Sequence, residues 1–239
     1  MEAEPFILFG TGHLITLLII LLITLLVPLF FKKTSSKTKD LFGYFLALTL
    51  LLDFLIKPYY WTQFFDYVLV EVFPLHMCSL SSLSIAIYLL VRKKIFYEVA
   101  FFWGIGGGAM ALLQPDTKFF FPDIYYIIFY LAHGIMWLAI SFASIALSNR
   151  PKLDSLKRVL IVSFIFLAVI YLINWILGPP ANYWYLGARP DGTSIMDLMP
   201  EPPRHIPIVV TLGLITFSLI YLPFLIYDRL KSRVAVLKE

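Results

Sequence analysis

From Gly12 to Phe31 the chain carries no Asp, Glu, Lys or Arg. About 20 such residues are what an α-helix needs to cross the ~30 Å hydrocarbon core of a bilayer. In that solvent every backbone amide and carbonyl must find its partner within the protein, so the run is read as a helix. Comparable runs recur. Seven spans are predicted, at roughly 12–31, 41–56, 67–91, 97–113, 124–147, 158–177 and 207–227. The first is too long for a signal peptide, and its basic cluster follows it instead of preceding it. Composition agrees: 60% of the residues are hydrophobic and 14% charged, against about 45–50% and 25% in a soluble domain. This excludes an ordinary cytosolic enzyme, a disordered chain and a nucleic-acid-binding module. One cysteine permits neither an internal disulfide nor a Cys-only metal cluster. The expected fold is all-α, a single integral membrane domain over 1–239.

Charge sets the orientation. Of 19 Lys and Arg, all but Lys57, Lys118, Arg189 and Arg204 fall in 32–39, 92–94, 150–158 and the tail after 228. The two sets alternate along the seven spans. The positive-inside rule then puts the N-terminus outside and the C-terminus in the cytoplasm, as expected of a multi-pass cell-membrane protein. No internal repeat of the transporter kind and no soluble domain is visible. The longest connection, about 178–206, is rich in Pro, Tyr and Trp. It is expected to lie at the outer interface as a lid or rim.

Polar groups within hydrocarbon are costly, so each raises a functional question. They are His13, Asp53, Glu71, His76, Cys78, Ser79, Ser81, Ser82, Gln114, His133 and Asn174. On the oriented spans all fall in the outer half, and the inner half is almost purely apolar. An outward-facing pocket is predicted, with His13, Asp53, His76, Ser82, Gln114 and Asn174 as its lining. Pro74 suits the first position of a helix, so a helix over 74–91 would set Cys78 near its positive end. A helix N-terminus and a nearby histidine activate a thiol, and the thiolate is the nucleophile. His76 lies two residues from Cys78, about 200° around a helix, so His133 from another span is the better base.

Plainer roles stand beside these. A lone buried cysteine fills space as a small apolar group. His133 can serve as an interhelical hydrogen-bonding residue, His76 as a structural one, Asp53 as the partner of a neighbouring histidine or Asn174, and His13 as a wet residue at the interface. The serines can bond back to their own helix carbonyls. Gly104 and Gly108 suit close helix packing. No ligand-spacing motif supports a metal site, and no cofactor is expected. The last span has no lysine for a retinal Schiff base.

The run Pro74-Leu75-His76-Met77-Cys78-Ser79-Leu80 resembles the YwaF-like family of integral membrane proteins. Further landmarks agree in order: His13, Phe102-Trp103-Gly104, Gln114-Pro115-Asp116, Leu131-Ala132-His133-Gly134, Asn182-Tyr183-Trp184-Tyr185-Leu186, Arg189-Pro190 and Ser194-Ile195-Met196-Asp197. That family looks related to a eukaryotic membrane acyltransferase that remodels ether phospholipids. More distantly it resembles the androgen-induced hydrolases of fatty-acid esters. The resemblance implies Cys78 as nucleophile and His133 as general base, and adds Asp197 to the pocket.

Two functions follow. One is acyl transfer or acyl-ester hydrolysis on membrane phospholipids or lysophospholipids, by a Cys78–His133 pair. The other is ligand binding or transport through the same polar cluster without chemistry. The first requires Cys78 and His133 within reach of one another; the second does not.

Overall fold

Helix boundaries follow local chemistry. Ser35 caps α2 (Ser36–Phe64) by accepting from the Thr38 amide, and Asp123 caps α6 (Ile124–Ile145) by accepting from the Tyr126 amide. Arg92, in a left-handed conformation, closes α4 (Met77–Val91), and Gly178 closes α7 (Leu153–Leu177). The remaining helices are α1 (Thr11–Lys32), the single turn α3 (Leu69–Val72), α5 (Lys94–Leu113) and α8 (Ile206–Val236). These elements come from a computed structural model that describes residues 4–115, 117–189 and 195–236. Asp116, Pro190 and Ser194, named above, lie outside them. Among the described residues no strand forms beyond an isolated bridge between Pro5 and Phe119.

Six helices are long and apolar enough to cross a membrane: α1, α2, α5, α6, α7 and the Ile206–Ser232 part of α8. The apolar α4 has 15 residues, or about 22 Å at 1.5 Å per residue. The single span expected over 67–91 is therefore broken. Phe73 is extended (ψ 134°), and α4 starts at Met77 with His76 as its N-cap, three residues later than Pro74 suggested. In contrast, α2 is longer than expected, with 29 residues, or about 43 Å. It runs through Pro58. Trp61 beyond that proline packs on Tyr125 of α6, with ring centroids 4.5 Å apart. Such aromatic packing offsets the hydrogen bond a proline removes.

The core lies where α4 and α5 meet α2, α6 and the middle of α8. Trp103, Phe102 and Phe142 are fully buried there. The outer faces of α1, α7 and α8 expose Leu, Ile and Phe almost continuously. Such patches are untenable in water and ordinary against lipid. The Gly104–Gly108 ridge does pack closely: the Trp137 indole lies across it and donates to the Gly104 carbonyl at 2.9 Å.

Three Arg–carboxylate pairs gather at one end of the bundle. Arg92 reaches Asp40 at 2.6 Å, tying α4 to α2. Arg158 of α7 holds Glu98 of α5 through two bonds, at 2.9 and 2.6 Å. Arg150, after α6, grips Asp228 of α8 through both carboxylate oxygens. The half of the bundle expected to be almost purely apolar thus contains a carboxylate only 4% exposed, Glu98. It is tolerated because Arg158 and the Ser155 hydroxyl, at 2.7 Å, satisfy it.

Candidate functional site

At the other end of the bundle three helices converge on a small polar cleft. From α2 come Asp53, Phe54 and Lys57; from α4, Cys78, Ser79 and Ser82; from α6, Ala132, His133 and Met136. Its free volume is about 20 Å³, enough for one water molecule. Asp53 and Lys57 share a face of α2 because they are four residues apart. The Tyr60 hydroxyl donates to Asp53 Oδ1 at 3.1 Å. Pro58 has no amide proton, so the carbonyl of Phe54, four residues back and on the cleft wall, lacks its helical donor.

Cys78 lies in the first turn of α4, as the sequence suggested, and is partly exposed to the cleft. His133 lies nine residues into α6, or ~14 Å along it. His133 Nδ1 is 2.8 Å from the Phe129 carbonyl oxygen. A carbonyl only accepts, so Nδ1 carries the proton and Nε2 of the neutral ring keeps a free lone pair.

Four of the predicted site residues therefore share one cleft: Asp53, Cys78, Ser82 and His133. The other five lie elsewhere. His13 is buried with both ring nitrogens engaged: Nδ1 accepts from the Phe9 amide at 3.0 Å and Nε2 donates to the Leu112 carbonyl at 2.9 Å. It ties the start of α1 to the end of α5. Gln114 is the exposed C-cap of α5, and Asp197 is exposed in the 3-10 turn Ile195–Leu198. His76 caps α4 and packs edge-on to Tyr183 at 5.3 Å. Asn174 is a backbone clamp: its amide donates to the Tyr183 carbonyl at 2.8 Å and its Oδ1 accepts from the Tyr183 amide at 2.9 Å. Ser81, next to Ser82, bonds back to the Met77 carbonyl at 2.7 Å.

Asn174 anchors the lid expected between 178 and 206. The Tyr183 hydroxyl donates to the Val70 carbonyl, and burial raises the phenol above its ordinary value, which keeps it a donor. The Trp184 indole donates to the Leu75 carbonyl at 3.0 Å. Trp184 and Tyr185 both have positive φ, 59° and 53°, uncommon for aromatic residues. His205 holds the second of them through a 2.8 Å bond from Nε2 to the Tyr185 carbonyl. Tyr183 and Trp184 thus seat the 70–75 segment that leads toward Cys78. Replacing Asn174 by Ala strands two buried backbone groups, at a cost of roughly 2 kcal/mol. Amide exchange over 183–186 is expected to accelerate at least tenfold; exchange at the wild-type rate would show that Asn174 does not hold the lid.

An apolar crevice adjoins the polar cleft between α2 and α6. It is about 200 Å³, and its walls include Leu50, Ile128, Leu131 and Ile135. Asp53 and Ala132 border both spaces.

Lys57 and Tyr60 were missed from sequence because Lys57-Pro58 reads as the end of a helix. Extending α2 by two turns would have placed both below Asp53. Glu98 gave a weaker signal: its partners lie about 60 residues away.

No solved structure matches the chain. An uncharacterized protein of Treponema pallidum (strain Nichols) is 27% identical over 117 residues, which cover 49% of this chain and 48% of that protein. The chain thus spans about half the length of this relative. The profile of the TMEM164 family matches residues 8–221, from the start of α1 to the middle of α8 and across every residue of the cleft. The chain belongs to the TMEM164 family.

Proposed function

We propose that the chain is a seven-crossing protein of the cell membrane that transfers or hydrolyses acyl esters of membrane lipids. Cys78 is the nucleophile and His133 the general base. The observation that carries this reading is their shared cleft: they come from different helices and border one space, and the Phe129 carbonyl fixes His133 in the tautomer a base requires. The alternation of basic loops supports an outside N-terminus, a cytoplasmic C-terminus and a short seventh crossing by α4. Kinship with the YwaF-like proteins and with the ether-phospholipid acyltransferase belongs to the same proposal. It rests on the motifs around Cys78, His133 and Tyr183.

The chemistry runs in two balanced steps. His133 Nε2 takes the thiol proton as sulfur attacks the ester carbonyl, and a C–S bond forms. The tetrahedral oxyanion stands beside Lys57, whose ammonium favours negative charge in the cleft. The ester C–O bond then breaks, and the leaving alcohol takes the proton from His133. A lysophospholipid hydroxyl, or water, reverses these steps on the thioester and frees the thiol.

The test is direct because the chain has one cysteine. Purified protein in phospholipid nanodiscs is expected to carry a hydroxylamine-labile adduct of acyl mass on Cys78, absent from Cys78→Ala. If no adduct forms with any phospholipid or acyl thioester supplied, the catalytic reading fails and the cleft becomes a ligand-binding site.

A further inference from the structure

We infer that the crevice between α2 and α6 is the acyl-chain subsite of this protein, and that Ile128 and Leu131 set which chains enter it. The inference rests on the acyl-ester reading of the cleft and names where the substrate's hydrocarbon lies. Three observations carry it. First, the crevice is concave and about 200 Å³, whereas the polar cleft beside it has room for one water molecule. An ester carbonyl fits at the cleft only if the chain attached to it lies in another space. Second, the two spaces meet at Asp53 and Ala132, and Ala132 is the immediate neighbour of His133. A chain leaving the reacting carbonyl therefore passes directly into the crevice. Third, the crevice lies along two helices that each qualify as membrane spans, and Leu131 at its edge is largely exposed. The molecules available at that surface are lipids, and the occupant that leaves no polar group unsatisfied among Leu50, Ile128 and Ile135 is a hydrocarbon chain.

Polarity sorts the two ends of such a substrate. Asp53 marks the junction: Lys57, His133, Cys78 and the α4 serines stand on the cleft side. The two hydroxyls of the crevice, Tyr60 and Thr49, already donate to Asp53 and to the Phe45 carbonyl, and aliphatic carbons make up most of its wall. A headgroup in the crevice would lose its hydration without replacement. A chain in the cleft would face Lys57, His133 and the α4 serines.

The experiment uses alkyl methanethiosulfonates, which convert Cys78 into a mixed disulfide and release a sulfinate. The full-length protein in nanodiscs is labelled with methyl and hexadecyl reagents. The readout is the ratio of the two rates, followed by intact mass. Ile128→Trp fills the crevice, and Leu131→Trp narrows its mouth with an apolar residue at an exposed position. The hexadecyl-to-methyl ratio is expected to fall about tenfold in each. A ratio within threefold of wild type in both variants overturns the subsite. The catalytic reading is judged separately: methyl labelling that is indifferent to His133→Ala rejects the Cys–His pair and leaves the ratio as a measure of the crevice alone.

Discussion

Replacing His133 by Ala is expected to slow acylation of Cys78 by about 10²–10⁴-fold, the range that a positioned general base contributes. The effect is large because the cleft offers no second group suited to the task. Lys57 and Ser82 border it, but an ammonium has no lone pair to give and a hydroxyl is far too weak a base. Asp53 is already engaged by Tyr60. The structural cost is small by comparison. The His133 side chain returns a single bond to its own helix, to Phe129, so α6 loses about 1 kcal/mol. Added imidazole is expected to restore part of the rate, since a truncated side chain leaves a space of that shape beside Cys78. A structural role would give no such rescue. Acylation within twofold of wild type would sink the base assignment.

Arg158→Ala is expected to lower stability by about 3 kcal/mol, toward the low end for a broken buried pair because Arg158 itself is half-exposed. Glu98 would remain enclosed in the core with only the Ser155 hydroxyl as donor. For a chain of this size the loss corresponds to a fall in Tm of roughly 6–12 °C. Thermal unfolding in detergent measures it. The double variant Glu98→Gln/Arg158→Met should recover most of the loss, because no unpaired charge is then left behind. If Arg158→Ala alone melts with wild type, the pair is an ornament of the surface and α7 is held by packing.

The apolar runs of α1, α5, α6 and α7 were legible because hydrocarbon demands one thing of a sequence, and these segments supply it without interruption. Residues 36–91 were not. Proline ends a helix in water more often than it is carried through, and the Trp61–Tyr125 contact that carries α2 past Pro58 joins residues 64 positions apart. The polar inventory was legible as a set but not by role. His13, Asn174 and His133 look alike in sequence: single polar residues in apolar helices. What separates them is where their atoms point. His13 and Asn174 spend their polar atoms on backbone groups of other segments, whereas His133 bonds its own helix and turns to a cleft. Cys78 was found through its motif and its place in a helix's first turn. Lys57 was hidden by the misplaced end of α2.

The three Arg–carboxylate pairs also determine how the bundle yields under load. They rivet α2 to α4, α5 to α7, and the connection after α6 to α8. Among the described residues no ion pair joins α2 to α6. Parting those two helices therefore separates no charges. Its cost is apolar and aromatic contact, the Trp61–Tyr125 packing included, and lipid tails replace the apolar part at little loss. The seam beside Cys78 and His133 is thus one of those the ion pairs leave free, and it gives way in the direction from which a membrane lipid arrives.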